Sequence, residues 1–222
     1  MPGDPELTFL HTAQVHVATF DALLHELGAS EPVRHVVHPE LLEQARNLGV
    51  RHPDVAQSVA SRIHSLTSDG ARFIVCTCST IGGIAEAAAS GECTVLRIDR
   101  PMAEQAVNSG RRILVAAALE STFEPTLELL AQVAEERGVE PEIARLSCTD
   151  AWRLFEAGDR AGYARNIARQ VAEQARAGDL VVLAQASMAP AGEWFERADV
   201  TLLSSPRLGV EAALASVRER AC

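Results

Sequence analysis

A chain of 222 residues with a net charge of −10 is long enough to bury a proper core, and too acidic, with no basic cluster, to suit a nucleic-acid partner. Its apolar runs are only of strand length and Met1-Pro2-Gly3-Asp4-Pro5-Glu6 does not read as a secretory leader, so a cytoplasmic protein without a membrane span is expected. All 20 basic residues are Arg, and a chain without Lys can form no pyridoxal Schiff base, amine nucleophile or Lys-bearing phosphate loop.

Leu7-Thr8-Phe9-Leu10 reads as a first strand ending at His11-Thr12. Helical periodicity follows from His16 to Leu27, closed by Gly28. Val33 to His38 is a second strand, and Pro39 opens a helix through Leu48 that stops at Gly49. Asp54 is positioned to cap a third helix, Val55 to Leu66. Phe73-Ile74-Val75 is an apolar, β-branched strand that runs into Cys76-Thr77-Cys78-Ser79-Thr80 and then into Ala-rich helical sequence. Thr94 to Ile98 is a fourth strand, followed by a helix from Met102 to Asn108.

The second half repeats the rhythm. Arg112 to Leu119 is a strand leading to Ser121-Thr122, and an amphipathic helix runs from Phe123 to Arg137. Pro141 to Leu146 is a strand; a long helical stretch from Asp150 to Ala177 should break near Gly158 or Gly162. Asp179 to Ala184 is a strand ending in Gln185-Ala186-Ser187, then a helix from Pro190 to Arg197, a strand from Val200 to Leu203, and a closing helix from Pro206 to about Glu219. Strands alternating with helices predict an α/β fold with mainly parallel sheets. Cys78 and Gln185, 107 residues apart, end similar strands, and Pro101 and Pro206 follow similar ones. Two half-chain units of about a hundred residues, with strand ends facing one cleft, are the economical reading.

The stretch around Cys78 carries the chemistry. A strand that stops in Cys-Ser-Thr and opens a helix sets a thiol and two hydroxyls at a sheet's carboxyl edge, beside helix N–H groups. Ligands of open α/β sheets sit there, and such surroundings are expected to ionise a thiol. Five cysteines without framework spacing are expected to be reduced, and with no nearby His or CxxC pair no metal site is expected. Ser79 and Thr80 suit either a helix cap or a carboxylate ligand. His11 and Thr12 end the first strand where a substrate contact belongs, and Gln185, Ala186 and Ser187 take the mirror position to Cys78.

Val75-Cys76-Thr77-Cys78-Ser79-Thr80 resembles the first cysteine motif, Cys-Asn-Thr, of the cofactor-independent aspartate/glutamate racemase superfamily, with Ser79 replacing the Asn. Arg97 to Val115 resembles that superfamily's mid-chain crossover, and the likeness spans the whole chain. It implies two pseudo-symmetric Rossmann-like domains, residues 1–98 with 206–222 and residues 99–205, and a homodimer. It implies no cofactor, a small carboxylate or amino-acid substrate, Cys78 as the proton-transferring residue, and Ser121 and Thr122 as carboxylate holders. In the racemases two cysteines act on opposite faces of one carbon. Here Gln185 stands at the second cysteine position and cannot transfer a proton. The expected function is therefore a pyridoxal-independent racemase or isomerase acting through Cys78. A single-thiol decarboxylase or lyase and a non-catalytic carboxylate-binding protein stand as alternatives, and Ser187 or His11 as another acid for the second face.

Overall fold

The apolar runs become eight strands and the periodic stretches nine α-helices among residues 7–221, which the computed structural model describes. The opening hexapeptide and Cys222 lie outside the described residues. The chain divides into two units, one holding the described residues up to Arg100 and from Pro206 onward, the other Pro101–Ser205. In the first, β1 (Leu7–His11), β2 (Val33–Val37), β3 (Phe73–Cys76) and β4 (Thr94–Arg97) form a sheet of order β2-β1-β3-β4. In the second, β5 (Ile113–Ala117), β6 (Ile143–Ser147), β7 (Leu180–Leu183) and β8 (Thr201–Ser204) follow the order β6-β5-β7-β8. Every pairing is parallel.

Parallel neighbours need a crossover, which the helices supply: α1 (Val15–Glu26), α2 (Pro39–Leu48), α3 (Pro53–Ser68), α4 (Ser79–Ala87) and α9 (Ser205–Ala221) around the first sheet. Around the second lie α6 (Glu120–Arg137), α7 (Trp152–Glu156) and α8 (Arg160–Gln174), with α5 (Arg100–Asn108) leading into it. The central strands β1, β3, β5 and β7 are buried throughout, as strands covered on both faces must be. Helix α3 buries Val55, Val59, Ile63 and Leu66, a stripe at helical spacing, in one cluster with Leu10, Ile74 and Ile81.

The two sheets close the same hydrogen bonds at their carboxyl ends. Thr77 N–H donates to Leu10 O at 3.0 Å and Ala184 N–H to Ala116 O at 2.9 Å. His38 N–H donates to His11 O, and Cys148 N–H to Ala117 O, both at 2.8 Å. In each sheet the order reverses beside the first strand, and the crevice at such a switch point is where α/β sheets take ligands.

Three local expectations give way. The third helix is capped by the His52 ring, which accepts from Asp54 N–H at 3.2 Å, rather than by Asp54. Helix α6 begins at Glu120, so Ser121 and Thr122 sit inside its first turn, and Pro125, one turn further on, leaves the Ser121 carbonyl without the N–H an α-helix would offer it. The helix expected from Pro190 to Arg197 is a 3-10 helix over Ala186–Trp194. Pro190 lacks the N–H an α-helical turn would use there, and Gly192 weakens continuation. The long stretch after Asp150 does break before α8, around Gly158, whose φ of 81° suits glycine.

Candidate functional site

In the first unit the chain leaves β3 extended through Cys78 (φ −105°, ψ 109°) and turns into α4 at Ser79. That backbone makes Cys78 the N-cap residue and places its half-buried sulfur at the helix start. The Thr12 and Thr80 hydroxyls and the Thr80 and Ile81 N–H groups favour its thiolate, yet the resting sulfur closes no capping hydrogen bond. Burial outweighs them and holds the thiol above its ordinary pKa. This corrects the expectation of a thiol ionised by the helix: desolvation exceeds the dipole, and the resting group is S–H.

Its neighbours are sorted by burial. Cys76 is fully buried, donates weakly to Cys78 O at 3.7 Å and is pushed strongly upward by burial, as a core residue would be. Ser79 is 4 % exposed and its Oγ has no hydrogen-bond partner among the described residues; Thr80 is buried beside it. Such an orphaned buried hydroxyl at a helix start is a donor in want of an acceptor. Thr12 is buried and His11 wholly so. The His11 ring spends both nitrogens within the unit, Nδ1 at 2.8 Å from Thr77 Oγ1 and Nε2 at 2.8 Å from His35 Nδ1. Burial, with His35 and His16 nearby, lowers its pKa to about 3, so the ring stays neutral.

Behind α4 lies a pair that sequence reasoning missed. Arg97 grips Asp99 with Nε–Oδ1 at 2.7 Å and Nη2–Oδ2 at 2.9 Å, both residues buried. Gly82 and Gly83 make room for it: a Cβ at either would come within 3.2 or 3.1 Å of the Arg97 side chain. Two adjacent glycines inside a helical run were the available signal.

In the second unit Gln185 stands where Cys78 stands in the first, also extended (φ −122°, ψ 139°). Its Oε1 accepts from Ala118 N–H at 2.6 Å and from Leu119 N–H at 3.3 Å. Two backbone donors on one oxygen settle the amide's orientation, and its NH2 end remains a donor. Ala186 is buried and offers only backbone; Ser187 Oγ lies 3.1 Å from the Tyr163 hydroxyl. Burial raises the Tyr163 pKa, and raises that of Cys148 to about 12 with help from Asp150. Ser121 has a buried Oγ without a hydrogen-bond partner among the described residues, and Thr122 is buried in the same turn.

Two four-stranded parallel α/β units of one strand order are the architecture of the two-domain racemases. The chain belongs to the Asp/Glu/hydantoin racemase family, whose model matches residues 12–213. Among solved structures it is similar to glutamate racemase from Francisella tularensis subsp. tularensis in complex with D-glutamate (TM-score 0.73, 15% identity, 98% of this chain and 83% of that one). It is also similar to Picrophilus torridus aspartate racemase (TM-score 0.67, 13% identity, 97% and 94% covered). Arylmalonate decarboxylase shares the fold more loosely (TM-score 0.55, 16% identity, 96% and 92% covered). No curated protein matches the sequence.

Proposed function

We propose that the protein is a cofactor-independent isomerase acting on a small amino acid or other small carboxylic acid, with the Cys78 sulfur transferring a proton at the carbon beside the carboxyl group. The observation that carries this reading is the Cys78 thiol itself: half-buried, kept protonated, and flanked by thiolate-favouring donors. In isomerisation the carbon first gives its own proton to a base on its other face, the C–H electrons staying on carbon; the buried Cys78 S–H then gives its proton to that carbon, and the donors take up the negative charge left on sulfur. The free Ser79 hydroxyl and the first N–H groups of α4 suit the carboxylate as it becomes enediolate-like.

Gln185 favours a second reading, a cofactor-free decarboxylase or lyase. A carboxamide whose oxygen is held by two backbone amides cannot remove or return a proton. In that reaction the substrate's C–C bond breaks, its electrons stay on carbon as carbon dioxide leaves, and the Cys78 proton quenches them on one face.

Incubating a panel of aspartate, glutamate, hydantoin, maleate and arylmalonate in deuterium oxide separates the readings. Isomerisation puts deuterium on carbon with inversion; decarboxylation releases carbon dioxide and labels one face. Thermal stabilisation by a panel member without exchange or gas release assigns the chain to carboxylate binding alone. Cys78→Ala should lower turnover by roughly 10²–10⁴-fold while the circular dichroism spectrum is unchanged. Full activity in that variant removes Cys78 from the reaction.

A further inference from the structure

His35, on β2, was given no role by its sequence position, yet it completes a line of polar groups through the first unit. Thr77 Oγ1 lies 2.8 Å from His11 Nδ1, His11 Nε2 lies 2.8 Å from His35 Nδ1, and His35 Nε2 lies 3.0 Å from Asp21 Oδ1. The last contact is electrostatic, set off the axis of a hydrogen bond. Exposure rises along the line, from 0% at His11 to 13% at the His35 side chain and 60% at that of Asp21. The two imidazoles lie edge to edge and nearly coplanar, with centroids 5.1 Å apart and planes 10° from parallel. We propose that Asp21, His35, His11 and Thr77 form a proton relay between solvent and the strand end that carries Cys78.

Two proton arrangements satisfy the same heavy atoms. In the empty state the Thr77 O–H donates to His11 Nδ1 and His11 Nε2–H donates to His35 Nδ1. In the loaded state one more proton resides on His35, as an imidazolium beside the Asp21 carboxylate. His35 Nδ1–H then donates to His11 Nε2, His11 Nδ1–H donates to Thr77, and the Thr77 hydroxyl turns to Leu10 O, 3.2 Å away. Loading through the line is balanced. Thr77 takes a proton from a water at the strand end and passes its own to His11 Nδ1; His11 passes its Nε2 proton to His35. Unloading reverses every step. His11 stays neutral in both states, in keeping with its burial. The charged or titratable groups facing it are His35 from β2 and, from α1, Asp21 through His35 and His16, whose ring centroid is 6.4 Å away.

The twin unit shows that the fold does not require this line. By strand register and matching hydrogen bonds, Ala117, Ala184 and Arg145 stand where His11, Thr77 and His35 stand. The same strand ends close there with two methyl groups. The polar line belongs to the half that bears Cys78, and a thiol that spends its proton on carbon must recover one from water. This last link rests on the proposed role of Cys78.

The test uses the full chain labelled with nitrogen-15. Histidine side-chain spectra from pH 5 to 8.5 should show His11 changing from the Nε2–H to the Nδ1–H tautomer as pH falls. In Asp21→Asn the change should move to lower pH, through loss of the facing carboxylate. Alkylation of Cys78 by iodoacetamide, followed on its own peptide, should show a matching step in its pH profile. That step should move with the tautomer change in Asp21→Asn, and vanish in His11→Ala/Thr77→Ala, which copies Ala117 and Ala184. A His11 that keeps one tautomer throughout, or a Cys78 profile indifferent to Asp21→Asn, overturns the relay. An intact tautomer change in an enzyme whose turnover survives Cys78→Ala sinks the proposed function and leaves the relay standing.

Discussion

Single residues decide what this chain can do chemically. His11 is neutral in the fold, with its pKa lowered to about 3 from an ordinary 6.5. The unfolded chain therefore binds the proton that the folded chain refuses. The stability this contributes is whole above pH 6.5 and is lost as pH falls toward 3, at about 1.4 kcal/mol per pH unit. Urea midpoints at pH 6 and pH 4 should differ by an amount equivalent to about 2–3 kcal/mol more in the wild type than in His11→Ala. Equal differences would show that the ring titrates freely. Gln185 makes a second case. Removing its carbonyl in Gln185→Leu leaves the Ala118 and Leu119 N–H groups without their acceptor. A loss of about 1–3 kcal/mol in denaturant unfolding is expected, whereas Gln185→Glu keeps an acceptor and should lose less.

At the scale of elements, the order of strands and helices and most of their stops were the legible part. Glycine stops, Pro39 at the start of α2 and the apolar stripe of α3 follow from local chemistry, so their positions could be read directly. The Ala186–Trp194 segment could not, because a proline in the first turns is compatible with either helix type until its packing is known. Close approach of elements was also invisible. A Cβ at Gly209 on α9 would lie 2.3 Å from the Ile98 side chain and 2.4 Å from its carbonyl oxygen. The oxygen belongs to the backbone at the end of β4 and cannot rotate away. Gly209→Ala should therefore destabilise by about 1–3 kcal/mol despite the better helix propensity of Ala. A thermal midpoint equal to or above wild type would mean that α9 is free to shift.

At the scale of the whole molecule, the chain states one topology twice and then departs from it at the residues that matter. Each unit carries the same strand order and the same backbone hydrogen bonds at its strand ends. One half fills them with His11, Thr77 and Cys78, the other with Ala117, Ala184 and Gln185. We propose the homodimer that the family resemblance implies, for which light scattering should return twice the mass of one chain across a dilution series. A single-chain mass at every concentration would set that aside.

By itself the sequence determined the alternation of elements, the repeat, the family likeness and the place of Cys78, because periodicity, turn chemistry and motif spacing are local properties of the chain. Only the tertiary structure decided the protonation of Cys78, the neutrality of His11, the locked amide of Gln185 and the partnership of Arg97 with Asp99. Each of these depends on how far a group is withdrawn from water and on which distant residue meets it there. Thr77 and His11 are 66 residues apart, and no pattern within either strand records that they touch.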